Sequence, residues 1–275
     1  MSDILFFIVY GLLMVAVTGF CQHALRRDTK SFSYATISSL IGFLVLTVLL
    51  IGQLFQHKLD NVLLTNWIMM VIYYYATYKT KNRLLGTVFM PIVLIMLTIA
   101  VFSDGINPVQ RSAYEGQLFL SIHQGLLMVA FAIFFFTFSE AVLYLVKVRA
   151  LKNHKQIALD DELPSLDRLK SVFISSFNWG WSAMTLGIAF AFIFTLKKQG
   201  GIVNEVKITW GIALWLIYTG LFTMYNLKKI TIRNLARAVT ALFIAFLAFY
   251  GFIATMETGI QAEQKSTENS EVVVK

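Results

Sequence analysis

The chain has 275 residues, of which 57% are apolar, 15% aromatic and 14% charged, and its mean hydropathy is +0.70. Soluble domains carry about a quarter charged residues, so this composition excludes an ordinary soluble fold and points to membrane-spanning helices. A net charge of +8 with a pI near 9.5 would suggest nucleic acid in a soluble protein; in a membrane protein the same excess reports orientation, and no nucleic-acid partner is expected.

The first apolar run, Ile4 to Phe20, has no Lys or Arg before it and no small-residue cleavage site after it, so it reads as a retained span. Further runs follow at Tyr34 to Phe55, Val62 to Tyr78, Leu84 to Phe102, Gln117 to Val146, Val172 to Leu196, Ile208 to Leu227 and Ala238 to Met256. Eight helices of about 20 residues use about 160 positions, which matches the apolar share of the chain. The expected fold is therefore an all-α integral membrane protein: one bundle of eight transmembrane helices over residues 1–256, its partner the lipid bilayer. No ten-residue alternation of the β-barrel kind is present. The fifth run is longer than a bilayer core requires at about 1.5 Å per residue, so its end is expected to project into the cytoplasm. In the loop beyond it, Ser165 is an N-cap candidate, and Leu166, Leu169 and Phe173 share one helical face, as in an interfacial turn leading into the sixth span. Residues 257–275 are polar and suit a disordered tail.

Lys and Arg accumulate in alternate loops: Arg26, Arg27 and Lys30; Lys79, Lys81 and Arg83; Lys147, Arg149, Lys152, Lys155, Arg168 and Lys170; then Lys228, Lys229, Arg233 and Arg237. About 16 of the 23 basic residues thus fall on one side, which the positive-inside rule makes cytoplasmic. Both termini are then outside.

Chemistry has few places to reside. The single cysteine, Cys21, excludes an internal disulfide and any Cys-based zinc or iron-sulfur cage. Apart from tyrosines and edge residues, the titratable groups inside the spans are His123 and Glu140. His123 falls about 9 Å inside the outer end of the fifth span. It reads either as a buried histidine bonded to a neighbouring helix or as a metal or haem-iron ligand or proton relay. Glu140 lies about 25 Å further along, near the cytoplasmic interface, where it can snorkel or pair with Lys147 or a neighbouring basic loop. His23 and His57 at span ends, and His154 in the basic loop, read as solvated. The cluster Asn178, Trp179, Gly180, Trp181 reads first as an interfacial aromatic belt. There is no glycine-rich phosphate loop, nucleophile elbow or paired histidine on a helix, so no enzyme activity is expected.

From the third span onward the order of features resembles the cytochrome c assembly (haem-handling) membrane protein family, and within it the shorter HemX-like branch. The segment Leu118, Phe119, Leu120, Ser121, Ile122, His123, with the aromatic run to Leu143, Tyr144, Leu145, resembles the family's histidine-bearing helix. Leu163 to Leu169 resembles its leucine-rich lead-in, and Met184, Thr185, Leu186, Gly187, Ile188 its Leu-Thr-Leu-Gly turn. Lys207, Trp210, Trp215, Leu216, Ile217 and Tyr218 resemble the Lys, Trp and Trp-Leu-Ile-Tyr stretch, Tyr250 and Gly251 the closing Tyr-Gly, and Gln56, His57, Lys58 a weaker match before the third span. The chain departs from the larger members. The loop from Lys197 to Lys207 has no Trp, Glu205 stands where they have Asp, the histidine late in the seventh span is replaced around Thr223 and Met224, and the one after the eighth span is absent.

The resemblance implies a multi-pass protein of the bacterial plasma (inner) membrane that binds or handles haem during cytochrome c biogenesis. His123 would then be an axial ligand of the haem iron. Met256, at the same end, can supply the thioether of a His/Met pair. Cytochrome c assembly or haem-biosynthesis proteins are the implied partners. A second reading is a membrane regulator or scaffold for a haem-biosynthesis enzyme, docking on the loop from Lys147 to Lys170. A third, a small-solute transporter, is disfavoured by the lack of interrupted spans and intramembrane charges.

Overall fold

In lipid a backbone can satisfy its own polar groups only in a helix or a closed barrel, so apolar runs of this length close into helices. The computed structural model describes residues 2–55, 58–59, 61–102, 109–110, 118–152, 164–197 and 205–248, with side chains for 4–55, 63–98, 122–152, 164–193, 209 and 211–248. The helices are α1 (Ser2–Arg26), α2 (Thr29–Phe55), α3 (Asn61–Thr80), α4 (Leu85–Phe102), α5 (Leu118–Lys152), α6 (Leu166–Lys197), α7 (Glu205–Asn226) and α8 (232–248). They follow the eight apolar runs in order. Among the described residues, Ile4–Arg26, Thr29–Phe55 and Ile122–Lys152 are both long and apolar enough to cross a bilayer, and Leu85–Thr98 is a shorter apolar helix. Two short strands, β1 (Lys58–Leu59) and β2 (Val109–Gln110), pair antiparallel with Lys58 opposite Gln110, tying the α2–α3 connector to the α4–α5 connector.

Two antiparallel hairpins dominate, α1 with α2 and α5 with α6, and α3 and α4 join them. The first hairpin closes tightly because Gly19 faces Ala35: a Cβ there would lie 2.9 Å from the Ala35 Cβ. Ser38 donates across it to the Leu12 carbonyl at 2.6 Å. Hydroxyls and indoles then stitch neighbours where lipid supplies no partner. Trp67 Nε1 donates to Thr47 Oγ1 at 2.9 Å, Tyr74 to Ser39 at 3.0 Å and Thr87 to the Phe20 carbonyl at 3.3 Å, while the Tyr10 and Thr98 hydroxyls meet at 3.1 Å. Pro91 lies inside α4 and removes the amide that would bond the Thr87 carbonyl.

The helix ends on the basic side are built alike. Arg27, Lys81 and Lys228 follow α1, α3 and α7 with φ of 54°, 53° and 56°. This is the left-handed C′ position, in which the Arg27 and Lys81 amides return to the carbonyls of His23 and Thr77 at 2.8 Å, and Lys229 to Met224 at 2.9 Å. A basic residue here replaces the usual glycine; its charge suits the negative helix end. Asp28 then caps α2: its carboxylate accepts from the Lys30 amide and the Ser31 hydroxyl, each at 3.0 Å. These bonds, the Lys30 amide first, hold its carboxyl below the usual carboxylate range.

The four basic turns are brought to one end of the bundle. Arg83 lies 5.6 Å over the Phe32 ring, Arg168 donates to the Lys79 carbonyl at 2.8 Å, Lys147 donates to the Pro164 carbonyl at 2.8 Å, and Arg233 is within electrostatic reach of Tyr144. Ser165 caps α6 as expected, accepting from the Arg168 amide at 3.4 Å. Leu169 and Phe173 beneath it are buried, so the lead-in is the first turn of a continuous helix. One expectation fails here. His23 is fully buried rather than solvated, donating from Nδ1 to the Asp28 carbonyl at 3.0 Å and packing 5.0 Å from Phe32. The reason is that α1 runs on to Arg26, six residues past the end of its apolar run, and the turn folds back over the ring.

Candidate functional site

Helix α5 carries both intramembrane candidates, and the fold places them in unlike surroundings. His123 lies in the second turn, at the end away from the basic turns, and is half-buried. Its Nδ1 is 2.7 Å from the Gly187 carbonyl of α6. A carbonyl can only accept, so Nδ1 carries a proton, and in the neutral imidazole it is Nε2 that keeps the lone pair. That is the arrangement in which a metal-bound histidine is held, one nitrogen oriented by an outer acceptor and the other free to ligate. Gly187 allows the close approach: a Cβ there would lie 3.1 Å from the Leu127 Cδ2.

A ladder of indoles and threonines fixes the helix that offers this carbonyl. Trp215 Nε1 of α7 donates to Thr185 Oγ1 at 3.0 Å, and Trp181 Nε1 of α6 donates back to Thr219 Oγ1 at 3.0 Å. The Thr185 hydroxyl donates in turn to the Trp181 carbonyl at 2.8 Å, and Trp181 stacks on Phe222 at 4.0 Å with 8° between planes. The Asn178–Trp181 cluster therefore divides. Trp179 is 69% exposed, as a belt residue should be, whereas Trp181 is an interhelical tie.

Glu140 is 1% exposed, and neither carboxyl oxygen has a hydrogen-bonding partner within the protein. The expected pairing with Lys147 gives way to the Lys147 bond with the Pro164 carbonyl. The polar neighbour is instead Asn82, from the α3–α4 turn. Nothing in the sequence linked these two positions, which are far apart in the chain.

Among the described residues no three His, Cys, Asp or Glu side chains gather as a metal cage. The aromatic cavity lined by Phe131, Phe134, Leu214, Tyr218, Phe243 and Phe246 measures about 10 Å³, room for at most one water. A haem does not fit there. At the other end of α5, His123 keeps one imidazole nitrogen free on a half-buried ring, a donor suited to a haem iron. His57, His154 and Met256 lie outside the described residues.

Residues 56–258 match the family described as Cytochrome C assembly protein, a span that holds α3 to α8, His123 and Glu140. The chain belongs to that family. A relative from Trieres chinensis, "Cytochrome c biogenesis protein CcsA", is 23% identical over 256 residues, covering 77% of this chain and 80% of the relative. No solved structure matches. This member of the cytochrome c assembly family is a membrane protein of apolar helices, as expected.

Proposed function

We propose that this family member binds or handles haem during cytochrome c biogenesis, as a non-enzymatic protein whose eight helices span a bacterial-type plasma membrane with both termini outside. The observation that carries the reading is the free Nε2 of His123, held in one tautomer by the Gly187 carbonyl at 2.7 Å. Haem held there would supply an iron able to take a nitrogen ligand, and the chain would supply the His123 imidazole, oriented by the Gly187 carbonyl. Met256 is the proposed second ligand, since a thioether completes a His/Met pair. The basic ends of α1, α3, α5 and α7 support a cytoplasmic placement of that face and an outer placement of His123. Cytochrome c assembly proteins are the proposed partners.

The test is absorbance of detergent-purified protein titrated with haem. Wild type is expected to develop a Soret band that is lost in His123→Ala and altered in Met256→Ala. A Soret band unchanged in His123→Ala overturns the assignment.

A further inference from the structure

The basic end of α3 is built in a way that haem binding does not use. Val71, Tyr75 and Tyr78 share one helical face, and all three are exposed, Tyr75 by 63% and Tyr78 by 85%. Lys79 closes the same face, one turn beyond Tyr75. A helical side chain leans towards the N-terminus of its helix, so the Lys79 stem runs back towards the bilayer, and its Nζ lies 5.7 Å from the centroid of the Tyr75 ring. A lysine at a span end ordinarily carries its ammonium out to water. This one lies along an exposed aromatic stripe.

The start of α6 brings a second cation to the same corner. Both α3 and α6 pack against α5, and Arg168, in the first turn of α6, donates from Nη2 to the Lys79 carbonyl at 2.8 Å. That bond fixes the guanidinium beside the last turn of α3 and uses one of its nitrogens, while the side chain stays exposed and keeps its full charge. Among the described residues no ion pair joins Lys79 or Arg168 to a carboxylate, and Asp167, next to Arg168 in sequence, is itself exposed.

These groups select an occupant that is anionic at one end and apolar along its length. A free phosphate or an acidic peptide meets the two cations but leaves the Val71, Tyr75 and Tyr78 stripe without a counterpart. A phospholipid presents a phosphodiester at headgroup level with an acyl chain beneath it, the same order as the cations and the stripe. A zwitterionic headgroup brings its own ammonium up to two cations, so a net negative headgroup is favoured.

We propose that the corner between the last turn of α3 and the first turn of α6 binds an anionic phospholipid, its phosphate held by Lys79 and Arg168 and an acyl chain lying along Tyr78, Tyr75 and Val71. The site needs these helices to lie in a membrane but needs no haem, so it stands or falls separately from the role of His123.

Native mass spectrometry of the full-length protein in detergent, titrated separately with phosphatidylglycerol and phosphatidylcholine of the same acyl chains, tests this. Wild type is expected to hold phosphatidylglycerol several-fold more tightly than phosphatidylcholine. A cation near the headgroup is worth about fivefold, so Lys79→Gln with Arg168→Gln should weaken phosphatidylglycerol by about 25-fold and leave phosphatidylcholine nearly unchanged. Lys79→Arg, which keeps the charge, should retain the preference. Lys228→Gln with Lys229→Gln removes the same charge from the α7–α8 turn and should leave the tightest binding event unchanged. Equal retention of the two lipids by wild type overturns the proposal. So does an equal loss in the Lys228 and Lys229 variant, which would make the preference a property of the whole basic end.

Discussion

Replacing Thr185 by valine should loosen α7 from α6 and disturb His123 without touching the imidazole. The substitution keeps the shape and deletes one hydroxyl, which accepts from Trp215 Nε1 at 3.0 Å and donates to the Trp181 carbonyl at 2.8 Å. The second of these bonds is a local one, four residues back along α6, and its carbonyl keeps its place in the helix; its loss costs little. The first joins two helices, and its loss leaves an indole N–H in apolar surroundings. Interhelical hydrogen bonds in membranes average about 0.6 kcal/mol and reach about 1.7, and an orphaned buried donor costs about 1–3 kcal/mol. Thr185→Val is therefore expected to cost about 1–2 kcal/mol, and Thr185→Ser, which keeps the hydroxyl, less than about half of that. Trp215→Phe removes the same bond from the other side, so a double-mutant cycle with Thr185→Val should give a coupling of about 0.6–1.7 kcal/mol. Reversible unfolding of the purified protein in mixed detergent measures all four corners. Thr185 lies two residues before Gly187, whose carbonyl holds the His123 ring. The valine variant should accordingly bind haem more weakly, while the serine variant binds it normally. A coupling indistinguishable from zero would show that the Trp215 indole finds another partner and that the ladder does not hold α6 against α7.

The Asp28 cap gives a pH dependence with a definite sign. Its folded carboxyl is held below the usual carboxylate range, chiefly by the Lys30 amide, so the contribution is present above the unfolded value and is lost as pH falls through the folded one. Amide exchange at Lys30 and Phe32 should accelerate below about pH 4 in wild type and be insensitive to that change in Asp28→Asn. At the α5–α6 contact, a Cβ on Gly180 would lie 2.9 Å from Phe134 Cε1, and Phe134 is backed by Tyr218 at 4.1 Å between ring centroids. Gly180→Ala should cost about 1–3 kcal/mol by overpacking, visible as a lowered melting temperature, and a neutral result would mean that the Phe134 ring has room to swing aside.

Hydropathy alone placed the helices because a bilayer permits so few alternatives: an apolar run of about 20 residues either becomes a helix or leaves its peptide groups unsatisfied. It also gathered the basic turns at one end, and contacts such as Arg168 with the Lys79 carbonyl bear that grouping out. The N-cap at Ser165 was legible for a similar reason, since a cap is a local arrangement of residues adjacent in sequence. His23 was misjudged because a span end defined by hydropathy says nothing about a helix that continues six residues further and is covered by its own turn.

The sequence by itself thus determined the eight helical segments, their basic face and the singling out of His123 and Glu140, all of which depend on composition and short-range spacing. Only the tertiary structure decided what those two side chains meet. Gly187 is 64 residues from His123, and Asn82 and Glu140 are separated by the rest of the α3–α4 turn, α4, the α4–α5 connector and about two-thirds of α5. Which nitrogen of an imidazole is free, and whether a buried carboxyl faces a cation or an amide, is set by partners that no local pattern specifies. The physical reason is that a helix face fixes a direction, whereas the group waiting in that direction is chosen by how the helices pack.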